Sequence, residues 1–320
     1  MIAFIFPGQG AQKVGMGRSL ADQYDVCRET FREADAALGE PLSRLCFEGP
    51  EEQLVLTENA QPAILAASVA AWRLLDAEGV RAAFAAGHSL GEYSAHVAAG
   101  TLSFADALRT VRRRGRYMQE AVPVGEGAMA AILGLDEEGV AAACADATRE
   151  QPERVVTPAN LNAPGQIVIA GHAAAVSRAG ELAKTRGAKR VIPLNVSAPF
   201  HSPLMKLAQD RLAPELRALE FRDPAIPVVA NVDAEPKRDG AAAIDALIRQ
   251  VSAPVRWEAV VRRLIAEGTQ QFVELGPGSV LAGLVKKIDR GVTVMSIEDV
   301  EGVSAALATL QRGSRTTTDD

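Results

Sequence analysis

A chain of 320 residues, 48% hydrophobic and 23% charged, has the composition of an ordinary globular protein and the length of one large or two ordinary domains. Its net charge of -6 weighs against sequence-independent nucleic-acid binding, which draws on many lysine and arginine contacts to phosphate, although a local basic patch stays open. Cys27, Cys46 and Cys144 are odd in number and form no C-x-x-C pair, so neither a disulfide framework nor a zinc site is implied.

The start, MIAFIFPGQG, has no cationic segment and too short an apolar run for a secretory signal. The longest apolar stretch, residues 63–72, is interrupted by Ser68 and ended by Arg73, so no membrane span is expected and the protein reads as cytoplasmic. IAFIF predicts a strand, followed by a helix ending near Ala37, a helix from Pro62 to Glu78, a strand at AAFAA and a helix from Leu90 to Ala99 closed by Gly100. Ser103 with Asp106 makes a capping box for a helix running to about Ala121. This alternation is the pattern of a parallel sheet with covering helices.

Between Ala128 and Val196 the rhythm changes to strand AMAAIL, helix 136–147, strand VVTPANL, strand QIVIAG, helix 173–185 and strand RVIPL. That β-α-β-β-α-β order is ferredoxin-like. The earlier rhythm resumes with IPVVANV and QFVELGPG, so residues 125–197 read as a subdomain inserted between residues 1–124 and 198–312. Residues 313–320, GSRTTTDD, are expected to be a disordered tail.

PGQGAQKVGMG follows the first strand but fits neither phosphate-loop template. It leaves Gln9 on a glycine-flexed turn that is either plain or faces a ligand. GHSLG at residues 87–91 has the G-x-S-x-G form of a nucleophile elbow, in which a sharp strand-to-helix turn exposes the serine oxygen. Ser89 then needs a base. His88 diverges at the turn, His96 lies two helical turns or roughly 10 Å away, and His172 reads as a helix-start residue, which leaves His201 in SAPFHSPLM. No acid stands out as a third member, so a backbone carbonyl is the expected partner of the imidazole.

On the helix starting at Phe104, Arg109, Arg112, Arg113 and Arg116 fall opposite the apolar stripe, whereas Arg114 falls inside it at roughly 100° per residue. A buried guanidinium must meet a carboxylate, either structural or brought by a ligand.

FPGQGAQ (6–12), NAQPAI (59–64), GHSLGEYSA (87–95), RRGRYMQEA around Arg114, ANLNAPGQIVIAG (159–171), FHSPLM (200–205), RQVSAPVRW (249–257) and ELGPGSVL (274–281) together resemble the malonyl-CoA:acyl carrier protein transacylases, in order and over nearly the whole chain. The resemblance implies an α/β-hydrolase-like core with the ferredoxin-like insertion closing one side of the cleft. It implies that Ser89 takes the malonyl group as an ester, that His201 is the general base, and that the main-chain carbonyl of Gln250 orients it. Gln9 and the Leu90 amide would form the oxyanion hole, and Arg114 would hold the free carboxylate of malonate. Gln61, Asn162 and Phe200 fall in the family's pocket motifs. The implied partners are malonyl-CoA and an acyl carrier protein, with no metal or other cofactor, and a monomer is expected.

The segment before the histidine reads SAPF, which departs from the specificity tetrads associated with modular polyketide acyltransferases and leaves the exclusion of methylmalonate open. Two cationic clusters, Lys184, Arg186, Lys189 and Arg190, and Lys286 with Lys287, are candidates for docking an acidic carrier, set against the default of a solvated face. Supply of fatty acid synthesis is the leading expectation. The rivals are a trans-acting acyltransferase of a polyketide pathway, a serine hydrolase, and a non-catalytic carrier-docking module.

Overall fold

The computed structural model describes residues 1–315. The chain lays down β1 (Ile2–Phe6), a helical stretch ending in the helix Thr57–Ala77, and β2 (Phe84–Gly87). It then forms β3 (Gly127–Leu133), β4 (Val156–Ala163), β5 (Gln166–His172) and β6 (Arg190–Pro193) before returning with β7 (Val228–Val229), β8 (Pro236–Lys237), β9 (Gln271–Leu275) and β10 (Thr293–Ile297).

Two sheets result. One has the order β10-β9-β1-β2-β7-β8, parallel throughout except for the short β7–β8 pair. The other is antiparallel with the order β4-β5-β3-β6, and the helices Glu137–Glu150 and Ala173–Thr185 follow its first and third strands in the chain. Both central strands of the parallel sheet, β1 and β2, are apolar runs covered on both faces, as a parallel sheet requires. Alternate residues divide between two cores: Phe4 and Phe6 pack on one side, Ala3 and Ile5 on the other.

The antiparallel sheet divides its residues the same way. Ala130, Ile132, Ile167 and Ile169 pack under its own helices, whereas Met129, Val168 and Ala170 join the larger core. One face of the small sheet therefore closes onto the larger core.

The helix expected from Pro62 begins at Thr57, so Pro62 lies within it and not in its first turn. Gly115 of the helix Phe104–Glu120 packs against that start, where an added Cβ would fall 2.6 Å from the Thr57 carbonyl oxygen. Ser103 caps the latter helix by accepting from the Asp106 amide, as its sequence predicts. Residues 313–315, expected in the tail, continue the last helix, Val300–Arg315, and the rest of the expected tail lies outside the described residues. No helix among the described residues is long and apolar enough to cross a membrane. The three cysteines are free and buried.

Candidate active site

Beyond the carboxyl end of β2 the chain turns so sharply that a Cβ on Gly87 would lie 1.9 Å from the Gly91 carbonyl carbon, and one on Gly91 would lie 2.1 Å from the Phe6 carbonyl oxygen. Glycine is required at both. Between them Ser89 holds φ at 54°, a left-handed conformation that costs a non-glycine residue roughly 1–2 kcal/mol and persists only where the surroundings fix it. Asn231, fully buried, supplies that fixing: its Oδ1 accepts from the Ser89 amide at 2.7 Å and its Nδ2 donates to the Gly87 carbonyl at 2.7 Å.

His201 is also left-handed, with φ at 57°. Its Nε2 lies 2.7 Å from Ser89 Oγ, and its Nδ1 lies 3.0 Å from the Gln250 carbonyl oxygen. With Nδ1–H donating to that carbonyl, Nε2 is left to accept a proton from the serine. Gln250 is the last residue of the helix Gly240–Gln250, so its carbonyl has no intrahelical donor and points from the negative end of the helix dipole. This is the backbone partner expected in place of an acid. Burial, followed by the positive charge of Arg114, pushes the His201 pKa down to about 3, so the imidazole is neutral and able to act as a base near pH 7.

Arg114 is 1% exposed, deep beside the serine. It donates through Nη1 to Gln61 Oε1 at 2.8 Å, and through Nη2 to Gln250 Oε1 at 2.9 Å and to Ser89 Oγ at 3.1 Å, with the Tyr93 ring centroid 5.7 Å away. Its Nε has no partner, and it forms no ion pair among the described residues. The other four arginines of the helix pair with Asp106, Glu40, Glu215 and Glu58 near the surface. Of the two carboxylates that periodicity left open for Arg114, the structural one is absent from contact.

A cavity of about 590 Å³ opens onto Ser89 and His201, and Gln9, Gln61, Arg114, Asn160 and Phe200 share its lining with Met129 and residues 194–197. The Gln9 side chain donates to Thr57 Oγ1 at 3.2 Å. Neither the Gln9 nor the Leu90 amide donates within the described residues, and Leu90 precedes the helix Gly91–Ala98, where backbone N–H groups and the helix dipole favour developing negative charge. Asn162 is placed differently from its expectation. Bulges at 159 and 162 interrupt the β4–β5 register, so Asn160 reaches the cavity wall while Asn162 Oδ1 lies 2.9 Å from His88 Nε2, behind the wall.

His172 precedes the helix Ala173–Thr185, and its Nδ1 accepts from the Val155 amide, as a helix-start residue. His96 is buried, and neither of its ring nitrogens has a partner among the described residues. No group of His, Cys, Asp or Glu among the described residues is arranged to hold a metal. All six candidate docking cations are exposed and outside the cavity lining. Arg186 pairs with Asp146, Lys286 donates to the Val292 carbonyl, and Lys287 donates to Gln166 Oε1 at 3.2 Å, while Lys184, Lys189 and Arg190 form no ion pair among the described residues. Sequence reasoning did not find Asn231, Asn160 or Glu92. The last is fully buried one turn after the nucleophile and accepts from Gln250 Nε2.

A half-buried serine bonded to a buried imidazole, with two unused amides beside it, can form and discharge an ester, and comparison with known proteins names the class. The family described as acyl transferase domain matches residues 3–317. The chain belongs to that family. A malonyl CoA-acyl carrier protein transacylase of Bacillus subtilis is 51% identical over 310 residues, covering 97% of each chain. One from Escherichia coli K12 is 51% identical over 306 residues, 95% of this chain and 98% of the relative. Among solved structures, an acyl carrier protein S-malonyltransferase from Vibrio cholerae superposes with a TM-score of 0.93 at 50% identity, covering 95% of this chain and 99% of that one. A complex of a type II PKS acyl-carrier protein with its malonyl-transacylase gives 0.93 at 47% identity, over 96% and 99%. This acyltransferase thus shares its mixed α/β fold with members of the family along its whole matched length.

Proposed function

We propose that the enzyme transfers a malonyl group from malonyl-CoA to the phosphopantetheine thiol of an acyl carrier protein through an ester on Ser89. The observation that carries this reading is Arg114, a buried guanidinium with free N–H groups and no carboxylate partner, set at the nucleophile. A planar fork suits the free carboxylate of malonate because two charge-assisted hydrogen bonds fix both its position and its orientation. The names of the Bacillus subtilis and Escherichia coli relatives support the same substrates.

In the first half-reaction His201 Nε2 takes the Ser89 proton as Oγ attacks the thioester carbonyl. The Gln9 and Leu90 amides receive the oxyanion. Collapse breaks the C–S bond, and the proton leaves with CoA. The second half runs in reverse with the carrier thiol, which gives its proton to His201 and takes the malonyl group. Gln61 and Gln250 hold the guanidinium plane, and Phe200 and Asn160 shape the wall. No metal or further cofactor takes part.

The two sheets support a division into an α/β-hydrolase-like core, residues 1–124 and 198–312, and a ferredoxin-like subdomain, residues 125–197. A cytoplasmic monomer is part of the same reading. Supply of fatty acid synthesis is the leading role. The type II PKS complex among the structural relatives favours carriers of polyketide synthesis as the second reading.

The test is Arg114→Ala. Malonyl transfer should fall by about 30-fold or more, the cost of removing one member of a buried charge pair, while acetyl transfer is kept or gained. An equal fall for both acyl groups in a folded variant would make Arg114 structural.

A further inference from the structure

Glu92 is fully buried on the side of the elbow away from solvent. Its Oε2 accepts from Gln250 Nε2 at 3.0 Å and from the Asn231 backbone amide at 2.9 Å, and its Oε1 has no partner among the described residues. The same Gln250 amide group donates to the Ser89 carbonyl at 2.8 Å and accepts from Arg114 Nη2 at 2.9 Å. One amide therefore bridges a buried cation and a buried carboxyl group, its oxygen toward the guanidinium and its N–H toward Glu92.

We propose that Glu92 is a positioning residue that supplies the counter-charge of Arg114 through the Gln250 amide, leaving the guanidinium free to take the carboxylate of the substrate. The inference rests on the reading of Arg114 given above. A guanidinium buried with no compensating charge is costly, yet a direct salt bridge would occupy the N–H groups that malonate needs. Placing the carboxylate one amide away meets both demands: Nε and one Nη1 hydrogen of Arg114 stay unpaired while a negative charge lies within the same buried network.

Binding of a second carboxylate at Arg114 then removes part of what keeps Glu92 ionised. The charged or titratable groups around Glu92 are Arg114 from the helix Phe104–Glu120, Asp233 from the loop after β7, and Tyr93 beside it. Asp233 is itself paired with Lys237 and Arg249. Burial, the largest influence, pushes the Glu92 carboxyl up to about 7, where small changes in its surroundings alter its charge.

Glu92→Gln keeps an acceptor for both hydrogen bonds and removes the charge. With Arg114 less compensated, the Michaelis constant for malonyl-CoA should fall at least about threefold while that for acetyl-CoA stays constant. In an Arg114→Ala background the same substitution should move neither. Equal shifts for malonyl and acetyl substrates in Glu92→Gln would overturn the proposal and leave Glu92 as packing. An Arg114→Ala variant that fails to distinguish the two acyl groups would instead overturn the reading of Arg114, and the inference with it. A second measurement needs no variant. Near pH 7, wild-type enzyme mixed with malonyl-CoA should take up a fraction of a proton from an indicator dye, and with acetyl-CoA none. Equal uptake with both thioesters would also overturn the proposal.

Discussion

At the carboxyl end of the parallel sheet, Ser89 and His201 hold left-handed backbone, and Arg114, Gln250, Glu92 and Asn231 lie buried around them. The antiparallel sheet offers Met129 and Asn160 to the same cavity from its strands β3 and β4, and the charges of its covering helices lie near the surface, as in the pairs Arg149–Asp146 and Arg178–Glu150. The difference separates two tasks. Reacting atoms need geometry held against strain, so they stand on buried, cross-linked backbone, whereas a wall that shapes the substrate's surroundings can be built from relaxed strand residues.

The comparison is open to a direct break at two glycines. Gly87→Ala would place a Cβ against backbone atoms of Gly91 and Glu92, which no side-chain motion can relieve. It should cost about 3 kcal/mol or more and abolish transfer. Gly134→Ala, directly after β3, meets first the side-chain stem of Lys189 at a φ of 82°, and should cost roughly 1–2 kcal/mol with transfer retained. Thermal unfolding of the two variants, with activity of the folded fraction, checks the pair. Equal losses would erase the distinction between the sheets.

Next in size is an acid-stability effect confined to the elbow's helix. His96, buried against Phe221 with both ring nitrogens unpartnered, has its pKa pushed by burial down to about 3. The unfolded chain binds that proton near the ordinary value of about 6.5, so its stabilising neutrality is lost as pH falls below 6.5 toward 3. His96→Phe should therefore gain on wild type by about 2 kcal/mol between pH 7 and pH 5 in denaturant titrations. Parallel curves for the two proteins would contradict the burial of a neutral imidazole.

The smallest effect belongs to the exposed face of the small sheet. Lys189→Glu with Arg190→Glu should raise the apparent Michaelis constant for an acidic carrier several-fold at low salt and leave acylation by malonyl-CoA unchanged, since exposed charges steer encounter. Lys286 and Lys287, already engaged with Val292 and Gln166, should matter less when reversed. Unaltered transfer to the carrier in both double variants would place docking on another surface.

Much of this division was legible in the sequence. The elbow is written in Gly87, Ser89 and Gly91, and Arg114 stands out because a charge on an apolar helical stripe violates periodicity. The β-α-β-β-α-β succession follows from alternating runs. What escaped has physical reasons. IPVVANV yields only the two-residue β7, β8 is two residues and too short for any period, and β10 is mostly half-exposed. Asn231 sits in ANVDAEP, where nothing local marks an amide that clamps a serine 142 positions away. Bulges in β4 leave Asn160 on the cavity wall and put Asn162, the residue expected there, behind it, and a bulge has no pattern in a single strand.

The central claim is that Ser89 carries the acyl group in front of Arg114. Intact-mass measurement after brief mixing with malonyl-CoA addresses it most directly. Wild-type enzyme should gain one malonyl mass, and Ser89→Ala should gain none. A full malonyl adduct on folded Ser89→Ala would contradict the account.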